Sequence, residues 1–182
     1  MTIKCSVYCG ASLDGFIAGH GGDIEWLHRP EYDDAGMTGL TYDRFIASVD
    51  AIIMGRHTFE KLLTFNAWPY KVPVIVLSTS LKDLPEHVRG KARLMVGSPE
   101  EIVRQLASEG HRHLYVDGGI TIQRFLRARL IHEITITYLP VLLGEGIPLF
   151  GSVGIETRLK LLEAVSYKDF VQLRYQVVHP LG

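Results

Sequence analysis

The sequence contains only two cysteines, Cys5 and Cys9, among its 182 residues. Both lie in an apolar stretch that reads as a β-strand, where alternation places residues four apart on the same face. The same spacing is too long for a disulfide bond between them, because an extended strand holds such residues too far apart. We therefore expect two small buried hydrophobic side chains in a reducing compartment.

The chain also lacks an excess of charge of either sign. Its 19 Lys and Arg residues nearly balance its 20 Asp and Glu residues, so the formal net charge is −1. Such a balance offers no broad cationic face to nucleic acid or to an anionic membrane. No uncharged apolar stretch is long enough for a signal peptide or a membrane span, so we expect a cytoplasmic protein that holds any anionic ligand locally.

Motifs for metal-dependent and acyl-transfer chemistry are missing as well. The sequence has eight histidines, but His132 and Glu133 are not followed by the second histidine of an H-E-x-x-H pattern. No serine or cysteine lies in a G-x-S-x-G nucleophile motif. The sequence therefore indicates neither a metal site nor an acyl-transfer enzyme.

What is present is a repeated alternation of strand and helix patterns. With 47% hydrophobic residues, the chain can bury a good-sized core, and we expect one domain over residues 1–182. Apolar runs predict five strands, at residues 3–10, 51–55, 72–78, 92–97 and 113–119. β-Branched and aromatic residues in the last third predict three more, at residues 133–143, 158–168 and 170–178, with a hairpin turn at 167–169.

Helix patterns lie between these strands. The clearest begins with Ser98 as N-cap, Pro99 in the first turn and Glu101 at the capping-box position, and it ends at Gly110. Two others cover residues 40–50 and 120–130. We therefore predict an α/β fold with a mixed, mostly parallel sheet, helices on both faces and antiparallel strands at the C-terminal edge.

Residues 50–60, DAIIMGRHTFE, contain the first candidate ligand site at a strand end. Gly55 follows a buried strand and permits a close approach of the backbone to a ligand. Arg56, His57 and Thr58 lie where the next helix begins, with free amide donors, and Arg56 adds a planar fork suited to phosphate. Each residue alone is better explained as a turn, a surface charge or an N-cap, but their adjacency favours a phosphate site.

A second junction, VDGGITIQRF, places Gly118 and Gly119 between a strand and a helix. It lacks the full G-x-G-x-x-G spacing, so it is weak as a lone motif. Two such junctions are a stronger signal, because an extended dinucleotide needs a phosphate site and a second close approach of the backbone. A third strand end supplies hydroxyl donors from Ser78, Thr79 and Ser80.

These segments resemble two related groups of enzymes. MGRHTFE, IVLSTS and VDGG are similar to segments of dihydrofolate reductases. SLDGFIAG, VDAIIMG and LPVLLGEGIPLF are similar to the reductase domain of the bifunctional riboflavin-biosynthesis deaminase-reductases. Because the match runs in the same order over nearly the whole chain, the chain is identified as a member of the dihydrofolate-reductase-like superfamily, and its three-layer fold is expected.

The resemblance implies an NADPH site and assigns residues to it. Gly55, Arg56, His57 and Thr58 would take the phosphates, with Arg56 favouring the 2′-phosphate of NADPH. Leu77, Ser78, Thr79 and Ser80 would line the adenosine end. Gly118, Gly119, Ile120, Thr121 and Ile122 would pass under the pyrophosphate and the nicotinamide ribose, and Gly10, Ala11 and Ile17 would face the nicotinamide.

The resemblance does not place a catalytic acid. The acid position of both groups, counted from the matching motifs, is occupied by Thr41. Asp43 lies nearby and is the candidate from the sequence, although it is more simply explained as one more charge on a helix face. Trp26 resembles the tryptophan that follows the mobile loop of dihydrofolate reductases, and its simpler interpretation is an aromatic plug in the core.

The leading hypothesis is an NADPH-dependent reductase that transfers hydride to a pterin-like or ribosylaminopyrimidine-like small molecule. The alternative is a non-catalytic nucleotide-binding module on the same fold, which the missing carboxylate favours and the intact SLDGFIAG loop opposes. The segment LPVLLGEGIPLF reads as a long apolar strand and a glycine turn at an exposed edge, which usually needs cover. By resemblance, this edge is expected to pair across a homodimer.

Overall fold

The computed structural model describes residues 3–154 and 156–179. These residues form ten strands, four α-helices and several short 3₁₀ turns. The strands are β1 (Lys4–Ser12), β2 (Phe16–Ala18), β3 (Ala51–Gly55), β4 (Val74–Leu77), β5 (Ala92–Met95), β6 (His113–Asp117), β7 (Glu133–Leu139), β8 (Ile147–Pro148), β9 (Arg158–Tyr167) and β10 (Phe170–Val178). The helices are α1 (Tyr42–Ile46), α2 (Arg56–Leu62), α3 (Pro99–Ser108) and α4 (Gly119–Arg127).

Eight of the strands form one sheet in the order β5-β4-β3-β6-β1-β7-β10-β9. The strands from β5 to β7 pair in parallel, whereas β10 is antiparallel to β7 and β9 is antiparallel to β10. The predicted mixed, mostly parallel sheet with antiparallel C-terminal edge strands is therefore confirmed. Lys168 has a φ of 51° in the turn between β9 and β10, where the hairpin is predicted.

The two faces of the sheet carry separate hydrophobic cores. Successive strand residues point to opposite faces, so Ile53 belongs to one core and Ile52 to the other. Helices α3 and α4 cover the first face, and α1 and α2 cover the second. The predicted three-layer arrangement follows directly from this alternation of buried residues.

Local predictions also agree with the structure in two places. Helix α3 has the complete capping box, in which the Ser98 hydroxyl accepts from the Glu101 amide and the Glu101 carboxylate accepts from the Ser98 amide. Both cysteines are free, with Cys5 fully buried and Cys9 partly buried, and both contribute to the core on the α3 and α4 side. None of the helices within the described residues has the length and apolar character needed to cross a bilayer.

The prediction of a long apolar edge strand in LPVLLGEGIPLF is wrong. Strand β7 ends at Leu139, and the chain then turns through Gly144 and Gly146, whose φ angles are 76° and 153°. Pro140 follows directly and has no amide hydrogen to offer a strand partner. After Leu139, the part of this segment that forms a strand is β8, which pairs with β2 in a separate ribbon, while β9 forms the sheet edge.

Candidate active site

The carboxyl ends of β3 and β6 lie side by side near the middle of the sheet. The strands are parallel neighbours, and Met54 and Asp117 are the last residues to pair between them. Helix α2 begins immediately after Gly55, and α4 begins immediately after Gly118, which has a φ of 87°. The two junctions predicted from the sequence are therefore brought together in space.

The two junctions pack into each other through glycine and threonine. A Cβ atom on Gly118 would collide with Thr58 Oγ1, and a Cβ atom on Gly55 would lie 3.1 Å from Thr121 Oγ1. Each glycine thus makes room for a threonine from the other junction. Any larger residue at Gly118 would push the start of α2 away from the start of α4.

The first turns of these two helices differ from that of α3. No side chain within the described residues caps either α2 or α4, whereas α3 is fully capped. Thr58 lies in the first turn of α2, and the N-cap is Gly55, so the interpretation of Thr58 as an N-cap is wrong. Two adjacent sets of uncapped amide donors, with the positive ends of two helix dipoles, suit a ligand with two phosphates.

Arg56 and His57 lie on the surface at the first junction. Arg56 Nε is 3.7 Å from Glu60 Oε1, and His57 Nδ1 is 3.4 Å from Glu60 Oε2. An exposed pair of this kind contributes only about 0–1 kcal/mol. The guanidinium can therefore exchange its carboxylate partner for a phosphate at little energetic cost.

The end of β4 lies beside the first junction, and we call the side of the sheet where these strand ends meet the cleft. Leu77 is paired with Gly55 and is buried. The Ser78 hydroxyl accepts from the amides of Ser80 and Leu81, at 3.2 and 2.9 Å. Thr79 and Ser80 are exposed, so their side chains are the accessible donors of this strand end.

The three residues predicted to face the nicotinamide differ in what surrounds them. Ile17 lies over α4, because its Cδ1 would be 3.2 Å from a Cβ atom on Gly119. Ala11 is fully buried, and a Cβ atom on Gly10 would lie 2.7 Å from Leu27 Cδ2. Ile17 therefore lies beside the start of α4, Ala11 lies in the interior, and Gly10 is half-buried against Leu27.

The three residues that follow Gly119 also differ in exposure. Ile120 is 65% exposed, whereas Thr121 and Ile122 are buried, and Ile122 belongs to the core. Of these side chains, Ile120 is available for direct contact with a ligand. Thr121 acts through its packing on Gly55.

The two candidate catalytic residues from the sequence lie outside β3, β6 and the helices that follow these strands. Asp43 is exposed on α1. Trp26 is buried in a small separate cluster with Met37, and its Nε1 donates to the Asp23 carbonyl at 3.2 Å. Thr41, at the acid position of the related enzymes, is the N-cap of α1 and accepts from the Arg44 amide at 3.4 Å.

Asp117 is the carboxylate that the sequence reasoning missed. It is the last residue of β6, between the two junctions, and its Oδ1 accepts from the Gly118 amide at 2.8 Å. Burial raises the pKa of this carboxyl to about 6. The signal was an acidic residue directly before the two glycines of VDGG, at a strand end where ligands bind in such sheets.

Tyrosine hydroxyls surround Asp117. Burial, and after it the nearby Asp117 carboxylate, raise the pKa values of Tyr42, Tyr70 and Tyr115. Tyr115 donates to the Tyr8 carbonyl at 2.9 Å. Tyr42 lies on the surface of this group and is 37% exposed, so it forms the part of the aromatic wall that a ligand can reach.

This wall is held by stacked aromatic rings. Tyr8 stacks on Phe45 with ring centroids 4.9 Å apart, and Phe45 meets Tyr115 edge-on at 5.0 Å. Tyr42 is tilted against Tyr8 at 5.7 Å. A carboxyl with a pKa of about 6, beside this aromatic wall, is partly protonated just below neutral pH and can both donate a proton and orient a planar ring.

Across residues 3–154 and 156–179, no three or more His, Cys, Asp and Glu side chains are grouped so that they could hold a metal ion.

Comparison with known proteins decides the family. Residues 5–173 match the family model of the RibD C-terminal domain. This chain belongs to that family. The uncharacterized protein YwjB of Bacillus subtilis (strain 168) is 34% identical over 180 residues, which cover 96% of this chain and 98% of YwjB.

Solved structures agree on the fold of this family member. A putative riboflavin biosynthesis protein from Shewanella sp. PV-4 is 35% identical, with a TM-score of 0.88 over 97% of this chain and all of that chain. A deaminase/5-amino-6-(5-phosphoribosylamino)uracil reductase from Thermotoga maritima is 16% identical, with a TM-score of 0.70 over 96% of this chain and 56% of that one.

A dihydrofolate reductase from Enterococcus faecalis, complexed with NADP(H), also shares the fold. It is 16% identical, with a TM-score of 0.62 over 96% of both chains. The predicted dihydrofolate-reductase-like fold is therefore confirmed.

The raised pKa of Asp117 predicts that the chain loses stability as the pH rises. The carboxyl holds its proton more tightly in the folded chain, with a pKa of about 6, than at its ordinary value of 3.8. Its ionisation therefore opposes folding, and this penalty is absent below about pH 4, grows between the two pKa values and is complete above about pH 6.

Urea unfolding of the wild type and of Asp117→Asn checks this expectation. The stability of the variant relative to the wild type should rise from pH 4 to pH 7 by on the order of 2–3 kcal/mol, because Asn cannot ionise. A difference that stays constant over this range would show that the Asp117 carboxyl is not perturbed.

Proposed function

We propose that this chain is an NADPH-dependent reductase that transfers hydride to a small heteroaromatic, pterin-like or ribosylaminopyrimidine-like substrate. The observation that carries the proposal is the position of Asp117, a carboxyl with a raised pKa between two uncapped helix N-termini. Membership of the RibD C-terminal domain family supports a reductase. The likeness in fold to a dihydrofolate reductase that binds NADP(H) supports the cofactor.

The residues present fit a phosphorylated dinucleotide. Gly55, Arg56, His57 and Thr58 would bind the phosphate of the adenosine half, with Arg56 leaving Glu60 to pair with the 2′-phosphate. Leu77, Ser78, Thr79 and Ser80 would line the adenosine. Gly118 to Ile122 would lie under the pyrophosphate and the adjoining ribose, and Ile17, with Gly10 and Ala11 behind it, would form the wall at the nicotinamide.

When it is bound, reduced nicotinamide supplies the hydride, and the protein supplies position and a proton. Asp117 in its protonated form would donate to a ring nitrogen of the substrate as the adjacent carbon is reduced. In its ionised form it would pair with N–H groups on the edge of the ring. The aromatic wall at Tyr42 would hold the ring plane and exclude water.

The position of Asp117 also bears on the alternative of a non-catalytic nucleotide-binding module. That alternative was favoured by the absence of an acid at Thr41. Because β6 supplies a carboxyl at the second junction, the absence of an acid at Thr41 no longer argues against catalysis. The reductase is therefore the function that we propose.

Substitution of Arg56 tests the cofactor. The wild type should bind NADPH more tightly than NADH in titrations followed by tryptophan fluorescence. Arg56→Ala should remove roughly a ten- to hundredfold preference, because a hydrogen bond to a charged group contributes about 1.5–3 kcal/mol. Affinity for NADH should change little.

Arg127→Ala is the matched control, because Arg127 is an exposed arginine at the far end of α4. It removes the same charge without touching either junction. Equal losses of NADPH affinity in the two variants would show that Arg56 acts only through its net charge. Failure of the wild type to bind either cofactor would overturn the proposed function.

Substitution of Asp117 tests the chemistry. With a dihydropterin or a ribosylaminopyrimidine as substrate, the oxidation of NADPH should be measurable for the wild type. Asp117→Asn should lower kcat by roughly 10²–10⁴-fold, as expected for the loss of a general acid, while leaving NADPH affinity nearly unchanged. The wild-type rate should fall as the pH rises through the pKa of Asp117.

The same assay separates the two candidate acids. Asp43→Asn should have a small effect if Asp117 is the acid. A large loss in Asp43→Asn together with an active Asp117→Asn would assign the role to the carboxylate on α1 instead. A substitution of Trp26 would be assessed by its effect on substrate affinity, because the ring is buried in the separate cluster with Met37.

We also propose that the protein is a cytoplasmic homodimer. Each chain would form one domain and would bind small molecules, not nucleic acid. Leu142, Ile147 and Phe150 are 70%, 41% and 42% exposed, so the segment that was expected to pair between subunits keeps an apolar surface. Light scattering should give twice the mass of the chain. A monomeric mass at assay concentration would exclude the dimer.

A further inference from the structure

The segment that follows β1 is tied down by one carboxylate. Asp14 Oδ1 accepts from the Ser12 hydroxyl at 2.6 Å and from the Leu143 amide at 3.2 Å, and Asp14 Oδ2 accepts from the Gly144 amide at 2.8 Å. Ser12 is fully buried, and its hydroxyl also accepts from the Phe16 amide. Asp14 therefore joins the loop after β1 to the loop after β7.

This junction continues into the β2–β8 ribbon. Phe16 pairs with Pro148 and Ala18 pairs with Ile147. The Leu149 amide donates to the Gly15 carbonyl at 2.9 Å. We call the whole set of contacts, from Asp14 to the end of the ribbon, the Asp14 clasp.

Glycine allows the closest approach within the clasp. A Cβ atom on Gly146 would collide with the Ala18 carbonyl oxygen. The two strands of the ribbon therefore approach each other backbone to backbone at this point. Their separation is set by the absence of a side chain, and it cannot widen without loss of the pairing between β2 and β8.

The clasp holds its far side against the start of α4. A Cβ atom on Gly119 would lie 3.1 Å from the Pro148 carbonyl oxygen and 3.2 Å from Ile17 Cδ1. Both strands of the ribbon thus contact the first residue of this helix. The SLDGFIAG segment is, in the folded chain, held as a wall beside the start of α4, at the candidate cofactor site.

We propose that Asp14 is a positioning residue that presses Ile17 and the β2–β8 ribbon against Gly119, so that this wall exists before the cofactor arrives. The inference rests on the proposed function, because it assigns the wall to NADPH. A preformed wall reduces the ordering cost of binding. Loss of the clasp should therefore weaken the cofactor complex without unfolding the sheet.

The test compares two exposed carboxylates of the same pair of loops. Asp14→Asn keeps the shape of the side chain, but an amide cannot accept on both of its sides, so the bonds from the Leu143 and Gly144 amides cannot both persist. Glu145→Gln removes the same charge one residue from Gly144, and Glu145 is exposed. The control therefore matches any electrostatic effect on an anionic cofactor.

Two measurements are made on both variants and on the wild type. Asp14→Asn should bind NADPH roughly tenfold more weakly, mainly through faster dissociation in stopped-flow experiments, with little change in melting temperature. Without cofactor, hydrogen exchange at the amides of Gly144 and Leu149 should be faster in this variant. Glu145→Gln should match the wild type in both measurements.

The outcomes separate this inference from the proposed function. If the wild type binds NADPH and Asp14→Asn binds it equally well, the inference fails and the proposed function stands. If the wild type does not bind NADPH, the proposed function fails and the inference fails with it. Should Asp14→Asn fold poorly, Ser12→Ala carries the same test, because it removes the hydroxyl that donates to Asp14, and it should weaken NADPH binding in the same direction.

Discussion

The parallel pairing of β3 with β6 is the contact on which the candidate site depends. These strands are far apart in sequence, yet their ends place Gly55 and Gly118 next to each other, and a threonine from each following helix packs on the opposite glycine. The arrangement aligns two helix N-termini at one point of the sheet. Without this interlock, each junction would be an ordinary turn with a few polar residues.

The same pairing gives Asp117 its chemistry. A carboxylate at the end of an exposed strand would ionise freely, but β6 lies in the middle of the sheet, where neighbouring strands and the aromatic cluster of Tyr8 and Phe45 limit solvent. Desolvation disfavours the charged form and raises the pKa. Position in the sheet therefore converts an unremarkable aspartate into a candidate proton donor.

The loops around the cleft are organised by backbone contacts. The β2–β8 ribbon, the close approach at Gly146 and the carboxylate of Asp14 hold the segment after β1 against α4. The apolar segment after β7 serves this purpose instead of extending the sheet. Pro140 and the glycines that follow it interrupt the strand and let the chain return to the cleft.

The sequence by itself determined the order of strands and helices, the capping of α3 and the two glycine junctions, because these depend on local patterns of burial and on backbone freedom. It also led to Arg56, Gly119 and Ile17 through motifs. It did not single out Asp117, since nothing local reveals that a carboxyl will be desolvated. It misread residues 139–150 as an edge strand, since an apolar run does not say what covers it.

Tertiary structure decided these last points. Which strands become neighbours, which carboxylate loses water and which loops meet are set by contacts between residues far apart in the sequence, such as Met54 with Asp117 and Asp14 with Gly144. Periodicity reports which face of an element is buried, but it carries no information about the partner on the other side. The candidate site lies where several such partners converge, so only the folded chain could assemble it.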